Sequence, residues 1–133
     1  MKKFIETIYL GDRAVKSIVI DGWQKVVKIQ IDCISRIRSQ SGDWEFYLDE
    51  DIEDGFLVFS GVSFFNIKPD GSIPFDYVLD YKLENFIDED FSDFILEAGG
   101  TDPENSNETT SSIIKIRHKF FWLENSKFEK IEN

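Results

Sequence analysis

The chain has 133 residues, of which 41% are hydrophobic, so it can bury a core and is not an intrinsically disordered chain. Its formal net charge of −11, from 26 acidic and 15 basic residues, excludes nucleic acid and anionic membranes as natural partners. Aromatic residues make up 15% of the chain, with 13 phenylalanines among them, so we expect a core rich in rings.

The first predicted element is a short helix at the N-terminus. Phe4, Ile5, Ile8 and Tyr9 are spaced as on one face of a helix, and Gly11 suits the position that ends it. Beyond this point the period of the apolar residues changes to two, so the following segments predict β-strands.

A β-hairpin is predicted next, because two β-branched runs flank Asp21-Gly22. This dipeptide favours the positive φ angles that a type I′ turn requires. In the second run, residues 27–33 alternate between apolar and polar side chains, which predicts a half-buried strand with one wet face. Ile34 interrupts the alternation, so we expect a bulge or twist near residues 33–35.

Turn signals divide the middle of the chain into short strands. Residues 44–48 (WEFYL) predict one strand, and Asp54-Gly55 marks the turn before the next. Residues 56–59 (FLVF) are apolar on both faces, which predicts a central strand. Residues 63–67 (SFFNI) predict a further strand, and a loop with two prolines and a glycine follows at residues 69–74.

The remaining residues predict three more strands and a polar tail. Residues 94–98 (FILEA) form one strand, and the polar loop 99–108 leads from it into a last long strand over 111–124. Residues 125–133 predict a frayed tail. The first of the three strands is predicted over residues 76–86 (DYVLDYKLENF), with Tyr77, Leu79, Tyr81 and Leu83 on one face. On the last strand, the expected apolar face carries Ser112, Ile114, Ile116, His118, Phe120 and Trp122.

These elements predict a single, mainly β domain over residues 1–133. The expected architecture is an antiparallel sandwich or an open barrel of seven to eight strands, with the short helix at an end or edge. Exposed edge strands would allow either a monomer or an edge-strand homodimer.

The acidic residues are concentrated in the middle of the chain. Residues 43–108 hold 19 acidic and 2 basic residues, a net charge of −17, between mildly basic ends. Such a field attracts a basic partner, although the same charge would also keep a phenylalanine-rich protein in solution. The candidate partner-binding residues are Asp49, Glu50, Asp51, Glu53, Asp88, Glu89 and Asp90.

The carboxylate clusters do not fit a calcium loop, and we predict neither a metal nor a cofactor. An EF-hand loop that began at Asp49 would need glycine where Asp54 stands and glutamate where Ser60 stands. A loop that began at Asp88 would place Asp93 at the glycine position. One cysteine and one histidine are too few for a zinc site, and the chain has neither a P-loop nor a dinucleotide fingerprint.

No catalytic set is recognisable, so the sequence predicts a protein that is not an enzyme. His118 shares the apolar face of its strand, which favours a core histidine over a general base. Cys33 also lies on an apolar face, where a buried thiol is expected to be unreactive. A single cysteine, with neither an apolar leader nor a long apolar span, favours a cytoplasmic location.

Three tryptophans lie close to predicted strand ends. Trp23 follows the Asp21-Gly22 turn, Trp44 follows the turn at residues 41–43, and Trp122 is near the end of the last strand. Closure of the core is the favoured interpretation of all three, and an interface anchor is the alternative.

The sequence resembles a family of small uncharacterised bacterial proteins whose layout is similar to that of immunity proteins from polymorphic-toxin systems. Leu10–Arg13, Asp21–Trp23, Trp44 and Asp51–Gly55 match its pattern, as do Leu57, Phe59, Gly61 and Val62. Pro74-Phe75-Asp76 departs from it, since the family has Pro-Asn-Asp there. The family has no established activity, so the resemblance assigns no functional residues, and its link to immunity proteins is one of layout and size.

The sequence therefore predicts a non-enzymatic, acidic interaction protein, and the more specific hypothesis is an immunity protein that binds a cationic partner. The alternative is a small-molecule or carbohydrate-binding sandwich that uses its aromatic residues as a stacking surface.

Overall fold

The computed structural model describes residues 8–36, 51–74, 76–85, 90–101 and 109–131. These residues form twelve strands, every pair of them antiparallel, and contain no helix. The strands are β1 (Ile8–Tyr9), β2 (Val15–Asp21), β3 (Val26–Ile31), β4 (Cys33–Arg36), β5 (Ile52–Glu53), β6 (Phe56–Ser60), β7 (Phe64–Lys68), β8 (Tyr77–Asn85), β9 (Ser92–Thr101), β10 (Thr109–His118), β11 (Phe120–Glu124) and β12 (Lys130–Ile131).

Two larger sheets and one small sheet make up the described part of the fold. The five-stranded sheet has the order β12-β11-β6-β3-β2, the four-stranded sheet the order β7-β10-β9-β8, and the small sheet the order β1-β4-β5. The two larger sheets face each other across the core, where the rings of Phe59 on β6 and Phe94 on β9 lie 4.8 Å apart. Neither sheet closes on itself in the described residues, so the architecture is sandwich-like and not a closed barrel.

The half-buried strand and the central strand predicted from alternation are confirmed. On β3, Val27, Ile29 and Ile31 are buried while the residues between them are partly exposed. On β6, residues 56–59 are buried on both faces, and the strand lies in the middle of the five-stranded sheet. The sequence predicted these correctly because a face buried by a neighbouring layer imposes its period on the side chains.

The β2–β3 hairpin is confirmed, but its turn differs from the predicted type I′. Residues 22–25 form a four-residue turn, and the positive φ of 59° belongs to Lys25. The carboxylate of Asp21 accepts a hydrogen bond from the amide of Gln24 at 2.9 Å. Asparagine and aspartate commonly organise turns in this way, so Asp21 acts through its side chain and not through a Gly22 turn.

The predicted irregularity near residues 33–35 is present one residue earlier, at Asp32. The chain bends there and passes from the five-stranded sheet into the small sheet, where Ile34, Ser35 and Arg36 are all buried. The carboxylate of Asp32 accepts hydrogen bonds from the amides of Ala14, at 2.9 Å, and Cys33, at 2.8 Å. Alternation ends at Asp32 because the strand changes sheets.

The predicted N-terminal helix is wrong at the residues that the structure describes. Ile8 and Tyr9 form strand β1 and pair with Arg36 and Ser35, while residues 1–7 lie outside the described ranges. Pairing with a buried strand overrides the helical spacing of the apolar residues. The predicted number of seven to eight strands is also too low, because breaks divide the chain into shorter strands. Three of the twelve, β1, β5 and β12, have only two residues each.

On two of the predicted strands, the face that is buried changes part-way along the strand. The pairing of β8 with β9 shifts register between Val78 and Asp80, so Val78 is buried while Tyr77 and Leu79 are 54% and 49% exposed. The predicted last strand is divided at Lys119 into β10 and β11, which belong to different sheets. Ser112, Ile114, Ile116 and His118 are buried as predicted, but Phe120 is 62% exposed.

Gly99 belongs to a strand and not to the predicted loop 99–108. It lies in β9, opposite Ser111 of β10, and a Cβ atom at this position would overlap the carbonyl oxygen of Thr110. A glycine therefore allows the close approach of the two strands. The hairpin itself is confirmed, although its residues 102–108 lie outside the described ranges, as does the predicted strand 44–48.

The segment predicted as a frayed tail contains strand β12. Ile131 pairs with Leu123, and Lys130 pairs with Glu124. Asn125 organises the preceding turn, because its side-chain oxygen accepts hydrogen bonds from the amides of Lys127 and Glu129 at 2.9 and 3.0 Å. The ring of Phe128 stacks on Phe56 with a centroid distance of 5.1 Å.

Replacement of Phe59 by alanine tests the contact between the two larger sheets. Phe59→Ala should lower the free energy of unfolding by about 3–5 kcal/mol, because the fully buried ring leaves a cavity. Phe120→Ala removes the same atoms from a ring that is 62% exposed, and we expect a loss within about 0.5 kcal/mol. Urea denaturation of both variants measures the difference, and equal losses would contradict this description of the core.

Candidate functional site

The structure describes three of the seven predicted partner-binding residues. Asp51 and Glu53 lie next to each other at β5, where Glu53 is exposed and pairs with Cys33. Asp90 is exposed just before β9. Asp49, Glu50, Asp88 and Glu89 lie outside the described residues.

The described acidic residues are found at opposite ends of strand β6. Asp51 and Glu53 lead into its Phe56 end, whereas Asp90 directly precedes Phe91, which contacts Lys119, and the amide of Lys119 donates to the carbonyl of Ser60 at 3.0 Å. The ring next to Asp90, that of Phe91, receives the ammonium of Lys119 at 5.1 Å from its centroid. The structure thus joins Asp51 and Glu53 in one acidic rim and separates Asp90 from it by about 13 Å of strand.

Asp54, which lies next to this rim, has a structural role. Its backbone adopts a positive φ of 52°, and its amide donates to the carbonyl of Asp32 at 2.9 Å, which turns the chain from β5 into β6. Its carboxylate binds Lys16 at 2.7 Å, and both side chains are partly exposed. The predicted turn is confirmed, with Asp54 and not Gly55 in the left-handed conformation.

Asp51 is the one member of the rim with a buried polar atom that lacks a described partner. Its Oδ1 atom is buried and has no hydrogen-bond partner among the described residues. The Asp51 carboxylate also raises the pKa of the nearby Cys33 thiol. Asp51 and Cys33 therefore share one small region at the edge of the β1-β4-β5 sheet.

Cys33 is partly buried and favours the protonated thiol. Burial is the main cause of its raised pKa, and the positive charge of Arg13 opposes the shift. A protonated thiol is a poor nucleophile, so the environment of Cys33 fits a structural residue better than a reactive one.

His118 lies in the core between the two larger sheets. Its side chain is 0% exposed, and its ring meets the ring of Phe59 edge-on at 4.8 Å. The Nδ1 atom is 3.0 Å from the carbonyl oxygen of Ile116 and so carries the proton, while Nε2 has no hydrogen-bond partner among the described residues. Burial lowers the pKa of His118, although the Ile116 carbonyl and Asp93 oppose the shift.

Asp93 forms the main buried ion pair of the four-stranded sheet. Its side chain is 3% exposed and lies 3.2 Å from Nε of Arg117 and 3.4 Å from Nζ of Lys115. The guanidinium of Arg117 also lies over the ring of Phe64, at 5.5 Å from its centroid. These two basic residues of β10 neutralise an acid on the neighbouring strand β9.

The tryptophans divide between two environments. Trp122 is partly buried, donates from Nε1 to Glu124 at 2.9 Å, and lies under the ammonium of Lys130. Trp23 is 94% exposed at the β2–β3 turn, so the favoured prediction of a core residue is wrong for it. The sequence signal for the alternative, an exposed interface anchor, was the position of Trp23 at a turn, because side chains at turns commonly face solvent. Trp44 lies outside the described residues.

A shallow depression of ≈170 Å³ lies beside Trp23, between the β2–β3 turn and β7. Its apolar lining comes from residues that sequence reasoning did not associate with any site. The lining residues are Ile20, Asp21, Gly22, Lys25, Val26, Val27, Val62, Ser63, Phe64 and Phe65.

Within residues 8–36, 51–74, 76–85, 90–101 and 109–131, no three histidine, cysteine, aspartate or glutamate side chains are grouped to hold a metal ion. The part of the chain that the structure describes also contains no helix long and apolar enough to cross a membrane.

Comparison with known families assigns the chain to one of them. The model of a family of unknown function, DUF6258, matches residues 1–133, so the chain belongs to that family. Neither the curated proteins nor the solved structures give a match.

The lowered pKa of His118 predicts a loss of stability in mild acid. The folded pKa is below the unfolded value of 6.5, so the unfolded chain takes up this proton first as the pH falls. The contribution of His118 is complete above 6.5 and decreases as the pH drops towards the folded pKa. Between about pH 7.5 and about pH 5.5, the wild type should lose up to about 1 kcal/mol more than His118→Phe.

Urea denaturation at several pH values measures this difference. The substitution keeps a ring beside Phe59 and removes the titration, so the comparison separates His118 from the carboxylates that also titrate. Identical pH dependence in the two proteins would contradict the neutral, buried histidine.

The raised pKa of Cys33 predicts slow alkylation of the folded protein. At about pH 7.5, iodoacetamide should modify Cys33 more slowly in the native state than in guanidinium chloride, because alkylation requires the thiolate. Mass spectrometry of timed samples gives both rates. A native rate equal to or above the denatured rate would show that the thiol is activated.

Proposed function

We propose that this member of the family is a non-enzymatic binding protein whose acidic surface recognises a basic protein in the cytoplasm. The observation that carries the proposal is the net charge of −17 over residues 43–108. Of the acidic residues in this segment that the structure describes, only Asp93 is buried. The others reach solvent, so their charge acts on the surroundings of the molecule and not on its core.

Few cations offset this charge locally. Lys16 binds Asp54 at 2.7 Å, and Lys82 binds Glu84 at 3.1 Å, both as exposed pairs. Exposed pairs contribute little to stability, so the cations of a partner can compete for these two carboxylates. A field of one sign accelerates association with an oppositely charged protein by about 10- to 1000-fold and weakens as salt is added.

The more specific form of the proposal is an immunity protein that binds a cationic toxin. It rests on the resemblance in layout carried by Leu10–Arg13, Asp21–Trp23 and Asp51–Gly55, together with the charge. The acidic rim of Asp51 and Glu53 at β5 is the first surface to test, because both residues lie together and Glu53 is exposed.

A second candidate function is the binding of a carbohydrate or another small molecule on the outer face of the five-stranded sheet. The observation that favours it is a group of rings outside the core: Phe120 and Phe128 are each 62% exposed, and Trp122 lies on the same strand as Phe120. Nearby, Lys28 binds the Glu124 carboxylate at 2.7 Å and offers polar groups beside the rings. A thermal shift with a panel of sugars and metabolites distinguishes this function from the first.

Neutralising the acidic surface should weaken binding of a basic partner. The partner is sought among basic proteins encoded beside this chain and those that it retains from cell extract at low salt. We expect Asp51→Asn/Glu53→Gln/Asp90→Asn to lower the association rate at least tenfold at about 0.05 M salt, with a smaller effect at about 0.5 M. Stopped-flow binding measures these rates.

The matched control is Asp12→Asn/Asp70→Asn/Glu129→Gln, which changes the net charge equally at three other exposed acids. If both triple variants lower the association rate equally, the electrostatic attraction comes from the whole surface and not from the candidate residues. Failure to find a basic protein whose binding weakens with salt would contradict the proposed function.

A further inference from the structure

Trp23 is the most exposed large apolar side chain in the described part of the molecule. It projects from the turn formed by residues 22–25 and is 94% exposed. Ile20 and Phe64 are also exposed, at 57% and 44%, and both line the adjacent depression. An indole ring that meets water on nearly all sides gains from contact with another surface, and tryptophan is enriched at the centres of interfaces.

The depression beside Trp23 fits a side chain better than a metabolite. Its volume of ≈170 Å³ is below the range of about 300–1000 Å³ that is typical of small-molecule sites. Val27 at its base is fully buried, and Val62 and Phe65 pack against the hydrophobic core, so these three apolar residues are held in place. A fixed, apolar and open depression of this size can accept one large ring.

We propose that two copies of the chain associate about a twofold axis, with Trp23 of each copy inserted into the depression of the other. The projecting ring and the depression are neighbours on one surface, since Gly22, directly before Trp23, and Lys25, two residues after it, both line the depression. A twofold contact uses the same patch on both molecules and therefore needs such self-complementarity. We call Ile20, Trp23, Lys25, Phe64 and the depression the turn patch.

The charges at the turn patch favour a second copy over the basic partner. Asp21 and Lys25 both line the depression. In a twofold dimer, Asp21 of each copy can therefore lie opposite Lys25 of the other copy. Arg117 lies over the ring of Phe64 at 5.5 Å, and together Arg117 and Lys115 carry one positive charge more than Asp93 offsets. A strongly basic partner would meet these cations, whereas a second copy offers an acid and a base in matching positions.

The expected dimer is weak and strengthens with salt. The exposed apolar residues of the turn patch are few, and the contact is therefore smaller than the roughly 800 Å² per partner of a standard stable interface. Each copy also carries a net charge of −11, so repulsion between the two copies opposes association until salt screens it. Salt is therefore expected to strengthen the dimer and to weaken the binding of a basic partner, so the two associations can be tested separately.

Sedimentation velocity of the intact protein over a range of concentrations tests the dimer. We expect a concentration-dependent shift towards the dimer, larger at about 0.5 M than at about 0.05 M salt. Trp23→Ala should weaken the dimer about 100-fold or more, because twofold symmetry removes two buried rings at once. Ile73→Ala removes an apolar side chain that is 79% exposed elsewhere, and the dimer should persist in this control.

Ile20→Lys provides an independent test of the depression. Ile20 lines it and is 57% exposed, so lysine is tolerated by the fold and hinders entry of the ring. Each variant alone should remain monomeric at concentrations where the wild type dimerises. A mixture of Trp23→Ala and Ile20→Lys should form some mixed dimer, because the first keeps an open depression and the second keeps the ring.

Several results would overturn the inference. They are a wild type that remains monomeric at high protein concentration and salt, a Trp23→Ala variant that dimerises as well as the wild type, and an Ile73→Ala variant that loses the dimer equally. A monomeric wild type whose basic partner is lost on Trp23→Ala would assign the turn patch to that partner. Unchanged thermal unfolding of each variant confirms that its fold is intact.

Discussion

The burial of strand β6 on both faces is the constraint on which the rest of the described structure depends. Its inward face places Phe59 against Phe94 of the opposite sheet, at 4.8 Å, and against the edge of His118. Its outward face carries Phe56 and Val58, which are 5% and 0% exposed although they point away from the shared core. The outer face of the five-stranded sheet must therefore have a cover of its own.

That cover combines aromatic rings with a buried ion pair. Phe128 stacks on Phe56, and the ammonium of Lys28 lies 5.0 Å from the centre of the Phe128 ring. Glu124 then accepts hydrogen bonds from Lys28 and Trp122, at 2.7 and 2.9 Å, so its nearly buried carboxylate has two donors. A carboxylate in this position would be costly without these two donors. The stacking of Phe128 on Phe56 and the pairing of Ile131 with Leu123 hold the C-terminal residues against the sheet.

The sequence predicted those parts of the fold in which a packed layer imposes a regular period. Val27, Ile29 and Ile31 alternate with polar residues because only one face of β3 meets the core, and the apolar run 56–59 reflects burial on two faces. Prediction failed where the backbone changes register or sheet at Leu79 and Lys119, since a break of one residue reverses the side chains that follow, and it placed the break at Asp32 one residue too late. The spacing of Ile8 and Tyr9 fits a helix as well as it fits a strand. They form a strand because they pair with Arg36 and Ser35, which are distant in the sequence.

The candidate site was predictable in its charge but not in its geometry. Composition alone located the acidic residues, yet the separation of Asp51 and Glu53 from Asp90 depends on which end of β6 each approaches. The depression beside Trp23 joins residues of β2, β3 and β7 with the segment between β6 and β7, and no local pattern relates them. Trp23 itself was ambiguous, because a tryptophan near a strand end can close a core or face solvent.

The arrangement of these two surfaces allows both to be occupied at once. Val26, at the β2–β3 turn, pairs with Ser60 at one end of β6, whereas Asp54 and the acidic rim precede Phe56 at the other end. About 13 Å of strand therefore separates the turn patch from the rim. A dimer formed through Trp23 would leave Asp51 and Glu53 of both copies open to solvent, and the two rims would add their fields. Self-association would then strengthen the attraction for a basic partner instead of competing with it.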